Sequence, residues 1–268
     1  IKKEVFMAAG VYIDKKKDNS MNYRASITIN NKHISLGSYE KESEAANAYM
    51  FAKMVMNNLA YNPTAFSEKY PIKFEKYITL LNLRDNGIYF SNPIYIRKRD
   101  FSYFLSPSIE LKFDSDDLFY FSSHKIVKRG SHLFVSDYGM QTSINERYGI
   151  KPYAVKERDY IFVNGDYYDY RRENIKIINR FNGVLKITKG IKTSYKAVIH
   201  LRSNYVIGTY PTEKEAAIAY NKAADILTKN GFKKAFAQNY LLEEITNKKY
   251  ADIYSNVKIS EKIILLRP

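Results

Sequence analysis

The sequence predicts an α+β fold: two small modules, each a three-stranded antiparallel sheet plus one helix, flanking a degenerate ββα segment. Three observations predict it. The stretch GSYEKESEAANAY from Gly37 aligns without gaps to GTYPTEKEAAIAY from Gly208, with eight of thirteen positions identical. Upstream, Gly10-Val11 matches Gly183-Val184 and Tyr23-Arg24-Ala25 matches Tyr195-Lys196-Ala197, so three blocks recur in one order. Within each copy the apolar period also changes from two to helical spacing after the glycine.

The elements follow in order. Tyr23, Ala25, Ile27 and Ile29 alternate with Arg24, Ser26 and Thr28, as Tyr195, Ala197, Ile199 and Leu201 alternate with Lys196, Val198, His200 and Arg202. Period two gives each strand a buried face and an exposed one, and the exposed face is expected to be basic in both copies. Asn31-Lys32 and Ser203-Asn204 supply turn chemistry before the third strand. Ala45, Ala48, Tyr49, Ala52 and Met56 then fall at helical spacing, as do Ala216, Ala219, Tyr220, Ala223 and Leu227. Small alanines let such a helix lie close on a small sheet. Thr212 with Glu215 has the spacing of a capping box.

Composition bounds the function. The 268 residues hold 43 Lys and Arg against 28 Asp and Glu, a net charge of +15. A globular chain this basic is suited to a polyanion. Cysteine is absent, which excludes disulfides, thiolate zinc and cysteine nucleophiles, and only four scattered histidines remain. No metal or cofactor is therefore expected. No apolar run nears the roughly 18 residues of a membrane span, so no membrane partner is expected. The chain opens at Ile1, as a processed or trimmed product would, and its Tyr, Ile, Asn and Lys richness matches translation of an AT-rich genome.

The repeated segments GVYIDKKK…YRASITINNKHISLGSYEKESEAANAY and GVLKITKG…YKAVIHLRSNYVIGTYPTEKEAAIAY resemble the plant Apetala/ethylene-response-factor DNA-binding domain, over about residues 10–60 and 181–240. The resemblance implies that the sheet of each module enters the major groove, with arginines and aromatics on its exposed face. Two departures bear on this. The position after Gly-Val, an arginine in that family, holds Tyr12 and Leu185, and the family's tryptophans are gone, with Tyr23 and Tyr195 where the aromatic of the second strand belongs. Lysine is a poorer reader of guanine than the arginine fork, so phosphate contacts are expected to outweigh base reading.

Residues 161–182, IFVNGDYYDYRRENIKIINRFN, resemble the HNH homing-endonuclease core, which in mobile-element nucleases often precedes an Apetala-type domain. The resemblance places the metal-binding aspartate on Ile161, the general-base histidine on Phe162, and the two asparagines on Asn174 and Asn182. Neither isoleucine nor phenylalanine can ligate a metal or accept a proton, so no catalytic residue and no enzymatic activity are expected. Asn164-Gly165-Asp166 with Asp169 lacks calcium-loop spacing and reads as a turn.

The expected division is 1–60, first module; 61–123, an aromatic connector without helical period, of short strands or extended segments; 124–182, the HNH-like segment; 183–240, second module; and 241–268, a tail. Net charge runs +3, 0, +4 and +1 over residues 1–60, 61–123, 124–180 and 241–268, and peaks at +7 over 181–240. The nucleic-acid-binding residues are expected to be Lys15, Lys16, Lys17, Arg24 and Lys32 in the first module and Arg171 and Arg172 in the middle. Lys186, Lys189, Lys192, Lys196 and Arg202 complete the set in the second. Together these features predict a non-catalytic nucleic-acid-binding protein, RNA favoured over DNA. A structural rRNA-binding component of a mitochondrial ribosome, contacting neighbouring proteins and descended from a homing-endonuclease-like ancestor, fits best. A nuclear, sequence-specific transcription factor of the Apetala type is the alternative, and an active HNH nuclease a distant third.

Overall fold

A computed structural model describes residues 8–15, 21–137, 139–241 and 244–268. The class is α+β, with small antiparallel sheets and several helices. The chain divides into two compact units, Ile1–Ile144 with Asp166–Asn174, and Asn145–Gly165 with Ile175–Pro268.

The first unit opens with β1 (Val11–Lys15), β2 (Met21–Ile29) and β3 (Lys32–Tyr39), a three-stranded sheet in chain order, followed by α1 (Glu42–Asn57). Ala25, Ile27, Ile34 and Leu36 from the sheet meet Ala45, Ala48, Ala52 and Val55 from the helix in one buried cluster. The turn between β2 and β3 falls on Asn30-Asn31, one residue earlier than the sequence reading. Both carry positive φ (48° and 62°), a region asparagine tolerates and lysine does not favour.

The connector differs from expectation. It contains α2 (Phe74–Asn86), whose residues 77–83 are buried without interruption. A helix covered on several sides loses the one-faced apolar stripe, and that is why its period is invisible in sequence. It shares the core of α1 through Tyr77, Ile78, Leu80 and Leu81. Arg84 closes the junction: its Nη1 donates to the carbonyls of Val55 (2.9 Å) and Asn58 (2.7 Å) and its Nη2 to that of Tyr61 (2.8 Å), satisfying oxygens at the end of α1. Then come the antiparallel sheet β4 (Ile94–Ile96), β5 (Asp100–Ser106) and β6 (Ile109–Asp114), the short α3 (Leu118–Ser123), and a second sheet of β7 (Ile126–Arg129), β8 (His132–Asp137) and β9 (Met140–Ser143). The piece 166–174 adds to this unit, where the Lys112 amide donates to the Tyr168 carbonyl (2.9 Å) and the Tyr170 amide to that of Lys112 (2.8 Å).

After α4 (Ile144–Arg147) the second unit contributes the hairpin β10 (Tyr160–Phe162) and β11 (Ile175–Ile177). The expected ββα order is not formed here: a single 3-10 turn, Arg172–Asn174, lies between β10 and β11, and residues 178–183 lead directly into the next sheet without a helix. That sheet is β12 (Val184–Lys189), β13 (Lys192–His200) and β14 (Asn204–Tyr210), followed by α5 (Glu213–Lys229). The β13–β14 turn occupies 201–203, again one residue ahead of the sequence reading. The capping box forms in both directions: Glu215 N donates to Thr212 Oγ1 and Thr212 N to Glu215 Oε2, each at 3.2 Å.

The tail 241–268 is not peripheral. It holds α6 (Asn247–Asn256) and α7 (Glu261–Leu265), and Leu241, Ile245 and Ile263 are buried with α5. This second covering explains why Ala217, Ile218, Asn221 and Ala224 of α5 are buried beside the expected stripe.

The repeated residues touch one another in both modules. Gly10 (φ 76°) and Gly183 (φ 69°) sit against the rings of Tyr49 and Tyr220, where a Cβ would collide. The Ser26 amide donates to Gly10 O (2.9 Å) and the Val198 amide to Gly183 O (2.7 Å), and both second strands carry an irregularity at that point. Tyr39 Oη donates to Pro71 O (2.8 Å) and Tyr210 Oη to Lys258 O (2.7 Å), each tying a downstream segment to its own sheet.

Candidate nucleic-acid interface

Each module sheet has one face under its helix and one left open. Register sorts the charged residues between them, because directly paired antiparallel positions share a face. In the second module the open face is built from the pairs Lys189–Lys192, Ile187–Ser194, Leu185–Lys196, Lys196–Thr209, Val198–Val206 and His200–Asn204. Lys189, Lys192 and Lys196 therefore stand together, and none has a carboxylate partner among the described residues. Lys189 and Lys192 are directly opposite, a placement of like charges that costs stability in an isolated protein. The centre of this face is aliphatic: Leu185, Ile187 and Val198 are half-buried and Val206 is exposed. Ile191, at the tip between the two lysines, is fully exposed.

Lys186 does not join them. It pairs with Tyr195 on the helix-facing side, at the sheet's end. Its amide donates to Asn179 Oδ1 (2.8 Å), and Asn179 Nδ2 in turn donates to Asp159 Oδ1 (2.9 Å). Burial alone would raise the pKa of Asp159, but hydrogen bonds from Arg158, the Val155 amide and Asn179 outweigh it and hold the carboxyl below its ordinary value. This ionised hub anchors the start of the sheet. Arg202 is exposed in the β13–β14 turn with no ion pair among the described residues.

The first module's open face is different. Its pairs are Asp14–Asn22, Tyr12–Arg24, Arg24–Ser38, Ser26–Ser35 and Thr28–His33, with Ser26 itself buried. Arg24 Nη2 lies 2.7 Å from Asp14 Oδ2, so its charge is met within the face. Tyr12 and His33 rings stand edge to face at 6.4 Å. Lys32 opens β3 in the row of Ile29, on the opposite side, with its ammonium 5.5 Å from the centre of the Tyr89 ring. Lys16, Lys17 and the Lys15 side chain lie outside the described residues.

The two middle arginines are engaged by acids. Arg171 makes a two-pronged bond to fully buried Asp169, Nε to Oδ1 at 2.8 Å and Nη2 to Oδ2 at 2.5 Å, with Asp100 at 3.5 Å. The hydrogen bonds it donates to Asp169 raise the guanidinium pKa well above its ordinary value. Arg172 Nη2 is 3.7 Å from buried Asp117, and its amide donates to Asp114 Oδ2 (2.8 Å). Both arginines hold the loop 166–174 in place, a role that a sequence count of basic residues does not distinguish from phosphate binding.

Three of the four positions aligned with the HNH core make packing or hydrogen-bond contacts. Phe162 is buried in β10, paired with Ile175. Asn174 is buried and donates to the Asp169 carbonyl at 2.9 Å. Asn182 Nδ2 donates to Tyr220 Oη (3.0 Å) and Ala237 O (3.2 Å), so it ties α5 to the start of its own sheet. Among the described residues no group of three or more His, Asp or Glu is placed to hold a metal ion, and no helix is long and apolar enough to cross a membrane.

The sequence reading missed Ile187 and Val206 on the open face. Alternation along β12 and β14 carries that signal once the register is known. No family model, no curated protein and no solved structure matches this chain.

Proposed function

We propose that the chain is a non-catalytic nucleic-acid-binding protein that grips phosphates with the open sheet face of its second module. The observation that carries this is the directly opposed pair Lys189–Lys192, with Lys196 on the same face and no carboxylate among its neighbours in register. Uncompensated like charges are maintained at a cost that a polyanion removes. Lysines act as point charges on phosphate oxygens and carry little base information, so binding of this type is salt-dependent and weakly sequence-selective. The Apetala-type resemblance supports the same face, and the apolar residues at the HNH-like positions support the absence of cleavage.

An rRNA-binding role in a mitochondrial ribosome fits a basic scaffold of this kind. Two steps test it. Crosslinking the native protein and sequencing the attached nucleic acid is expected to return rRNA, with co-sedimentation on ribosomal subunits that persists until high salt. Selection on random duplex DNA is expected to return no sharp consensus; a sharp one would overturn the rRNA assignment in favour of a transcription factor. Metal-dependent nicking of plasmid DNA would overturn the non-catalytic reading.

A further inference from the structure

Three cavities allow a comparison. One of about 480 Å³ has Glu215 and Asp252 in its wall, and one of about 320 Å³ has Glu75. The third, about 310 Å³, lies in the second unit and includes Arg202, Tyr205, Phe232, Lys234 and Arg267 in its lining, with no Asp or Glu. Three cations and two aromatic rings thus line one concavity.

The cations are positioned with donors to spare. Lys234 Nζ donates to the His200 carbonyl (2.8 Å), one of three hydrogens on an ammonium. Arg267 Nη1 donates to the carbonyls of Ile264 (3.1 Å) and Leu266 (3.0 Å), which leaves Nε and Nη2. Arg202 is exposed and unpaired among the described residues. Tyr205 and Phe232 are half-buried against the core of α5, so their rings are held and only partly covered.

We infer that this cavity takes a single unpaired nucleotide, its base against Tyr205 and Phe232 and its phosphate at Arg202, Lys234 and Arg267. The inference rests on the nucleic-acid reading above and goes beyond it, since the sheet face alone accounts for phosphate contacts only. The size is at the low end for a small-molecule pocket, near 300 Å³, as one nucleotide requires. Aromatic rings stack on any base, and cations beside them hold the backbone. His200 ends the strand that carries Lys192 and Lys196, and Arg202 sits in the turn that follows, at most about 20 Å from Lys196; Tyr205 pairs with Ile199 on the helix-facing side, so a bound strand passes round this turn from the lysine face to the cavity.

The test compares two labelled probes on the full chain by fluorescence anisotropy, a 12-nucleotide oligouridylate and an abasic ribose-phosphate strand of the same length. Wild type is expected to bind the base-bearing strand about tenfold more tightly, the size of one good stacking contact. Phe232→Leu keeps apolar bulk and loses one of the two π faces, so it reduces that difference, Phe232→Leu with Tyr205→Leu erases it, and both leave affinity for the abasic strand unchanged. Arg202→Glu, at an exposed position that the fold does not need, weakens both. Excess UMP removes the base-dependent increment, whereas inorganic phosphate at equal concentration does not. Equal binding of the two strands by wild type, or a base preference that survives the double change of Phe232 and Tyr205, overturns the cavity. The sheet-face reading fails separately, if changing Lys189, Lys192 and Lys196 leaves the abasic strand bound as before.

Discussion

The two module sheets share a backbone and differ on the surface they leave open. Where the first has Asp14, Arg24, Ser26 and Ser35, the second has Ile187, Lys196, Val198 and Val206 in equivalent register. The first face neutralises its own arginine at 2.7 Å. The second concentrates lysines around an aliphatic centre. What the duplication preserved is the set of contacts that builds the sheet and seats the helix. The open faces differ in charge, and on the function proposed above the second is the one that meets a polyanion.

The largest effect is expected from the second face. Changing Lys189, Lys192 and Lys196 together to Ala should weaken binding to a generic RNA on the order of 100-fold at low salt and lower the slope of log affinity against log salt by about 2, at roughly 0.7 per lost phosphate contact. Arg24→Ala should change either quantity little. Equal losses at the two faces would break the comparison.

The scaffold should respond alike in both copies. Gly10→Ala and Gly183→Ala each force a Cβ into a tyrosine ring and a neighbouring carbonyl, at a backbone conformation an L-residue disfavours. Each should destabilise its own unit by about 2–3 kcal/mol, from positive-φ strain added to overpacking. Hydrogen exchange resolved by unit is the measurement, because two compact units need not unfold as one. Loss of protection confined to the first unit in the first variant and to the second unit in the second is expected.

These contacts also show what the sequence could disclose. The identical residues touch in pairs, Gly10 with Tyr49 and Gly37 with Tyr39 in the first module, Gly183 with Tyr220 and Gly208 with Tyr210 in the second, and the repeat, the three strands and the helix of each module were legible. The helix α2 was not, since Tyr77 to Leu83 are buried all round and show no polar face. Nor was the sorting of basic residues. Arg171 and Lys189 look equivalent in a charge count, yet only register and the buried partner Asp169 separate a structural ion pair from a free surface lysine. The cavity lined by Arg202, Phe232 and Arg267 gathers residues up to 65 positions apart, which no local pattern encodes.

A smaller effect follows from Ser26. Its hydroxyl is buried without a hydrogen-bond partner, and the second module has Val198 at that position in its strand. Ser26→Val removes an unsatisfied polar group and should stabilise the first unit by about 1 kcal/mol, read as a higher denaturant midpoint for that unit. Val198→Ser should cost less than a buried change, since Val198 is only half-buried.

The smallest effect bears most directly on the divergence. Asp14 and Arg24 are both substantially exposed, so their ion pair contributes little to folding and Asp14→Asn should leave stability nearly unchanged. What it changes is the open face, where Arg24 loses its local partner and one negative charge disappears. RNA affinity measured at low salt should rise about threefold, and the salt slope should steepen by less than one phosphate contact. The same substitution combined with the three lysine changes should recover almost none of the lost affinity if Arg24 alone cannot hold a strand. A double variant that instead restores binding would show that the first face needs only to be uncovered, and that Asp14, rather than the missing lysines, is what separates the two copies.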